Sequence, residues 1–185
     1  MQGQRLSKQT GKLGELLVCS ELLRRGVVPY IPLEDLEGVD IVIRRSDGTC
    51  ADLQIKTIGG DKPNRWLQVW NLKPRPNSFI VGVMLPQDPV EVWIIPSAEF
   101  ERYATRSADK KGIVIYDLDL DTAPRSDPGR KRREILSQYK DAWHLLTQGA
   151  CTFLPSVDNA AWLRASEPAF AADWSSQEDE KYDEL

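Results

Sequence analysis

Cysteine is scarce in this chain, and long apolar runs are missing altogether. Cys19, Cys50 and Cys151 stand far apart with no paired motif, which argues against a zinc site and a disulfide framework. Reduced thiols in a cytoplasmic protein are the expectation. No apolar stretch reaches membrane-spanning length, and the N-terminus lacks the apolar core of a signal peptide, so neither a membrane protein nor an exported one is expected. There is no internal repeat and no glycine-rich phosphate loop. Histidine is limited to His144, for which a structural or surface role is expected over a general-base role. Net positive charge is missing too, since 24 Lys and Arg face 28 Asp and Glu, a balance of −4. The acidity is local. Residues 1–150 carry 22 cations against 20 anions, whereas residues 151–185 carry 2 against 8. The chain therefore divides into a near-neutral domain, 1–150, and an acidic C-terminal extension, 151–185, of a length that suits one domain plus an appendage.

What the chain does have is two short apolar runs carrying polar residues where a plain core strand would have none. In Glu37-Gly38-Val39-Asp40-Ile41-Val42-Ile43, the residues Val39, Ile41 and Ile43 share one strand face and leave Asp40 on the other. In Ala51-Asp52-Leu53-Gln54-Ile55-Lys56-Thr57, the residues Ala51, Leu53 and Ile55 oppose Asp52, Gln54 and Lys56. Asp47-Gly48 between them is a hairpin signal. A two-residue loop would set Asp40 opposite Ile55 and break up the apolar set. A three-residue loop, Ser46 to Gly48, pairs Arg45 with Thr49, sets Asp40 opposite Gln54 and keeps the apolar residues together. The second register is expected, with Gly48 in the left-handed conformation.

Upstream, Lys8 to Arg25 reads as a helix with an apolar stripe of Leu13, Leu16, Leu17, Leu22 and Leu23. Ser7 or Thr10 can cap its start, and Gly26 lies just past its end. Glu15 falls near the N-terminal end beside Gly14, where a helix dipole favours an acid.

Taken together, Glu15 in Thr10-Gly11-Lys12-Leu13-Gly14-Glu15, then Asp40, then Gln54-Ile55-Lys56, resemble the PD-(D/E)XK nuclease superfamily. The nearer resemblance is to the branch with glutamine in place of the second acid, found in Mrr-like restriction enzymes and an intron-encoded homing endonuclease. It covers mainly residues 8–57 and extends more loosely to about residue 148. The resemblance implies an α/β fold with a restriction-endonuclease-like core, a mixed central β-sheet flanked by helices. It implies Mg²⁺, with Mn²⁺ able to substitute, and DNA as the substrate of phosphodiester hydrolysis. Asp40 would be the central metal-binding carboxylate, joined by the Gln54 amide oxygen and the Ile55 backbone carbonyl. Lys56 would orient the attacking water or stabilise phosphate charge. Glu15 would ligate from the helix, directly or at one remove. Mg²⁺ keeps several waters, so one or two carboxylates plus a substrate phosphate suffice. The departure is Gln54, whose neutral amide lowers the negative charge of the site. Severing both strands would call for a homodimer or higher oligomer, though no segment identifies an interface.

Other readings stay open. Lys56 could simply close an ion pair with Asp40 or Asp52. The protein could be a non-catalytic nucleic-acid-binding or accessory protein that keeps the fold, or could bind a protein partner through its tail. Lys12, Lys73, Arg75 and the run Arg130-Lys131-Arg132-Arg133 are the cations placed to meet DNA. The run is predicted to open a helix through about Leu146; a solvated face or pairing with the acidic stretch 117–121 is its plainer role. Strands are predicted at Trp66–Trp70, Ser78–Leu85, Val90–Ile95 and Ile113–Asp117. Ser97 is predicted to cap a helix through about Arg106, and residues 73–77 form a loop. Trp66 and Trp70 read as core residues in preference to a base-stacking platform. A short helix at Ala160–Ala165, docking aromatics Trp162, Phe170 and Trp174, and a disordered run at Gln177–Leu185 complete the reading.

Overall fold

The computed structural model of the chain describes residues 2–34, 38–45, 48–60 and 64–147. The chain divides into two units, Met1–Thr152 and Phe153–Leu185. The expectations for Cys151 and for the tail lie outside the described residues. In order come α1 (Gln2–Arg24), β1 (Pro29–Tyr30), β2 (Ile41–Arg44), β3 (Cys50–Ile58), β4 (Trp66–Trp70), β5 (Ser78–Met84), β6 (Glu91–Pro96), α2 (Ser97–Tyr103), β7 (Thr105–Ala108), β8 (Val114–Asp119), α3 (Arg132–Ile135), a 3₁₀ turn (Ser137–Tyr139) and α4 (His144–Thr147). No helix among the described residues is long and apolar enough to cross a membrane.

Alternation in β3 organises the molecule. Ala51, Leu53 and Ile55 are buried, while Asp52, Gln54 and Lys56 are half-buried on the opposite face. β2 pairs antiparallel with β3, Ile41 with Leu53 and Ile43 with Ala51. The pairing on either side of the turn is the expected one: Arg45 N–H donates to the Thr49 carbonyl at 2.8 Å, and Gly48 takes φ +83°. β3 also pairs with β5, in parallel, giving a mixed five-stranded sheet in the order β1-β2-β3-β5-β6. A mixed α/β fold with a mixed central sheet is thus what the chain adopts.

Two apolar layers cover the sheet. On one face, Val18 and Leu22 of α1 pack on Ile41, Ile43, Leu53 and Ile55, with Trp143 and Leu146 closing the same layer. On the other, Leu67 and Val69 of β4, Leu118 of β8 and Phe100 of α2 pack on Ile80, Met84 and Ile95. Each fully buried leucine or isoleucine contributes about 1.5–3 kcal/mol. The second layer is itself a sheet, in the order β4-β8-β7. It lies close at Gly82, where a Cβ would sit 2.7 Å from Leu67 Cδ1. Gly82 is the register partner of Lys56, so the close approach of the two sheets is set beside the polar face of β3. The layers are also tied by charge. Arg65, just before β4, donates to both carboxylate oxygens of Glu91 at 2.8 and 2.9 Å, and this guanidinium holds the Glu91 carboxyl down at about 2.

Several sequence expectations are corrected. The first helix starts at Gln2 and runs on through Gly3, so neither Ser7 nor Thr10 caps it. Its buried line is Gly14, Val18 and Leu22, whereas Leu13, Leu16 and Leu23 are more than half exposed. The helix does end as expected at Gly26, φ +75°, whose N–H bonds the Leu23 carbonyl at 2.9 Å. Ser97 makes no capping bond; buried, it accepts the Arg75 N–H and donates to the Arg75 carbonyl, both at 3.1 Å. The second helix stops at Tyr103, because Thr105–Ala108 is drawn into β7 by pairing with β8. The helix expected from Arg130 to Leu146 is broken into short turns. Its middle is captured by the free edge of β6, where the Asp141 N–H bonds the Val92 carbonyl at 2.8 Å and Lys140 bridges Trp93.

Gly14 sets how closely α1 lies on β3. A Cβ there would fall 1.9 Å from Thr57 Oγ1, whereas one at Gly11 would meet nothing within 4 Å. Alanine is the better helix former at both positions. Gly11→Ala is expected to raise stability by about 0.5–1 kcal/mol, and Gly14→Ala to lower it by about 1–3 kcal/mol through overpacking. Urea unfolding midpoints measure the difference; equal gains at both positions would contradict this packing.

Candidate active site

β2 begins only at Ile41, but the hydrogen bonding along β3 continues past it. The Asp40 N–H bonds the carbonyl of Leu53, which is already the register partner of Ile41, at 2.9 Å. This is the two-against-one step of a bulge. Just before it, Gly38 at φ +76° turns the chain. The Asp40 carboxylate then does what another strand residue would have done, and accepts the Ile55 N–H at 2.6 Å. The register up to Ile41 is the expected one, but Asp40 does not pair squarely with Gln54. The bulge turns its carboxylate into the edge of β3 instead. Because the N–H and carbonyl of one strand residue point to the same side, the Ile55 carbonyl opens on that edge too.

Gln54 and Lys56 stand beside this edge on the polar face. They line a cleft of about 480 Å³ together with Gly38, Gln68, Trp70 and Asn71. An added Cβ on Gly38 would lie 3.6–3.8 Å from the amide atoms of Gln54, an ordinary contact, so it is the φ of +76° that favours glycine there. Burial lowers the pKa of the Lys56 ammonium below the ordinary lysine value, against the opposing pull of the Asp40 charge.

Glu15 comes from the other layer. It lies past the middle of α1, so the helix-dipole reading does not apply to it, and Lys12 Nζ holds its carboxylate at 2.7 Å. That bond, with the Glu15 charge, raises the Lys12 pKa; Asp40 adds a smaller pull in the same direction. Lys12 is 58% exposed, so the pair adds little stability. The Gly14–Thr57 contact nevertheless brings this stretch of α1 against the residue next to Lys56.

A second cavity of about 370 Å³ adjoins the first and shares Gly38, Gln54, Trp70 and Asn71 with it. It is also lined by Lys73 and Arg75, whose loop is tied down by Ser97. Arg75 Nη1 lies 3.3 Å from Asp52 Oδ2. These two cations therefore belong to the site. The run Arg130–Arg133 does not form a patch. Arg132 is buried, its Nε donating to the Tyr103 carbonyl at 2.8 Å and its Nη1 to Thr122, which removes it from the cations able to meet DNA. Arg133 pairs with Asp121 at 3.1 Å, the plainer of its two expected roles, and Arg130 with Asp127 at 3.8 Å, while Lys131 is exposed. His144 is exposed as expected.

Trp66 and Trp70 are 51% and 60% exposed, against the expectation of core. The signal was in the alternation: Leu67 and Val69 are the buried pair of β4, which puts both indoles on the face of Gln68. Gln68, Trp70 and Asn71 are the cleft residues that the sequence reading missed.

No group of three or more His, Cys, Asp or Glu able to hold a metal ion occurs among the described residues. The groups at the β3 edge are instead one carboxylate, one carbonyl and one carboxamide. All offer oxygen, which suits a hard divalent cation that keeps waters and shares its coordination with substrate; it does not suit zinc.

A solved structure of a bacterial homing endonuclease, I-Ssp6803I, is similar to this chain with a TM-score of 0.51 and 21% identity, over 76% of this chain and 91% of that one. The likeness establishes a nuclease-like fold, as expected. No family model matches the chain. No curated protein matches it.

Holding Lys56 charged in its half-buried place costs folding energy. Between its lowered pKa and the ordinary 10.5 the unfolded chain binds more protons, so wild-type stability rises with pH across that window. Lys56→Met is expected to stabilise the fold by about 0.5–2 kcal/mol at neutral pH, with the gain shrinking as pH approaches 10.5. Denaturant titrations at several pH values test this, and a loss of stability at neutral pH would contradict it.

Proposed function

We propose that this chain is a metal-dependent DNA endonuclease of the PD-(D/E)XK superfamily, in the branch with glutamine in place of the second acid. The observation that carries the reading is the edge of β3. There the Asp40 carboxylate sits on the Ile55 main chain at 2.6 Å, with Gln54 and Lys56 lining the adjoining cleft. The fold of a homing endonuclease supports it.

Asp40, the Ile55 carbonyl and the Gln54 amide oxygen would hold Mg²⁺ or Mn²⁺. The ion, when bound, lowers the pKa of a water and offsets charge on the scissile phosphate. Lys56, which lines the same cleft, would hydrogen-bond that water or a phosphate oxygen. A water oxygen would bond to phosphorus and give up a proton to solvent as the bridging P–O bond breaks, and the leaving oxygen would take up a proton. The lowered pKa of Lys56 makes its proton easier to give up than that of an exposed lysine. Lys73 and Arg75 hold the flanking backbone by charge. Glu15 and Lys12 supply the outer charges across α1. Cutting both strands takes two such sites, and so a homodimer or higher oligomer.

The test is a cleavage panel of supercoiled, linear, single-stranded and branched DNA with Mg²⁺ or Mn²⁺. Cleavage is expected to be abolished by chelation and by Asp40→Asn, and reduced at least about 10²-fold by Lys56→Met, in variants that stay folded. Folded wild-type protein that leaves every substrate intact would overturn the enzyme; salt-sensitive binding without cutting would then favour the accessory reading.

A further inference from the structure

Trp70 has no structural reason to be where it is. Its side chain is 60% exposed, on the β4 face opposite the buried Leu67 and Val69, so it adds little to the core. Yet it is held firmly. Its Nε1–H donates to Gln68 Oε1 at 2.9 Å, and Gln68 Nε2 donates in turn to Asp117 Oδ1 at 2.9 Å. The next residue, Asn71, takes φ +49°, a conformation uncommon for a residue other than glycine. It is clamped to β8, its N–H on the Val114 carbonyl at 2.8 Å and its Oδ1 accepting the Val114 N–H at 3.2 Å. An exposed indole is thus fixed at the rim of both cavities, with Gln54 and Lys56 on one side and Lys73 and Arg75 on the other.

Resting on the nuclease reading for its choice of ligand, we infer that Trp70 is a base-stacking residue, and that the preferred substrate presents an unpaired nucleotide at this cleft. An indole can stack only on a base whose face is open, and in continuous duplex those faces are covered by neighbouring pairs. Every base has such a face, so the contact tolerates any sequence. A flap, gap, bulge or single strand supplies it without the cost of unstacking. Gln68, with its carboxamide committed to Trp70 and Asp117, is a positioning residue and not a reader of bases.

The experiment measures binding without divalent metal, so that it does not depend on catalysis. Oligonucleotides carry 2-aminopurine either in matched duplex or at a single-nucleotide bulge of the same sequence. Wild-type protein is expected to bind the bulged form at least about tenfold more tightly, with quenching of the 2-aminopurine by the indole. Trp70→Ala weakens this roughly 5- to 150-fold, and Trp70→Phe retains most of it. Trp66→Ala is the control: Trp66 is 51% exposed on the same face, but about 13 Å along the strand. Equal affinity for duplex and bulge, or a Trp70→Ala variant that binds like wild type, would overturn the inference and leave the nuclease reading intact. Tight, Trp70-dependent binding of the bulge by a protein that cuts nothing would uphold the inference and overturn the nuclease.

Discussion

At Ile41 the ladder between β2 and β3 stops, and a side chain makes the next hydrogen bond along β3: the Asp40 carboxylate takes the Ile55 N–H at 2.6 Å. A hydrogen bond to a charged acceptor is worth about 1.5–3 kcal/mol, and an unmet buried donor costs a similar amount. The bond therefore places a carboxylate at the edge of an interior strand while keeping the sheet satisfied. It also fixes the relation of Asp40 to everything that follows on β3, since Gln54 and Lys56 flank Ile55. The bulge, the turn at Gly38 and the hairpin register are the means by which the sequence produces this one contact.

The rest of the fold holds that edge open on one side and firm on the other. Gly14 lets α1 press against Thr57, and Gly82 lets Leu67 come down beside Lys56. The close packing of two layers leaves Lys56 half-buried with a lowered pKa, a condition that costs stability. On the proposed nuclease reading, the neutral Gln54 leaves the site less negative than two carboxylates would, so an approaching phosphate would meet less repulsion and metal affinity would lean more on the substrate. Trp70 stands at the rim of the same cleft.

Much of this was legible in the residues. The alternation of apolar and polar side chains in 39–43 and 51–57, with Asp47-Gly48 between, was enough to give the hairpin register, because a one-residue slip would have buried charge. The mixed sheet could be anticipated from the resemblance those segments carry. The bulge at Asp40 could not, since local sequence says nothing about where one strand outruns its partner. Nor could Arg132 be told from its neighbours: four consecutive cations look alike until the Tyr103 carbonyl and Thr122 claim one of them. Trp66 and Trp70 were misread because aromatic residues suggest burial, although period two already assigned Leu67 and Val69 to the core. The second sheet was hidden for a related reason. All four residues of β7 are exposed, and pairing with β8 alone defines them as a strand.

On the proposed reading, Asp40, the Ile55 carbonyl and Gln54 make one cation site at the edge of β3. Anomalous diffraction from crystals of the protein soaked in Mn²⁺ measures it directly. The account predicts an anomalous peak within coordination distance of Asp40 and the Ile55 carbonyl, on the side of the sheet where Gln54 and Lys56 meet the cleft. Manganese bound elsewhere with that edge empty, in crystals where the cleft is open to solvent, would contradict it.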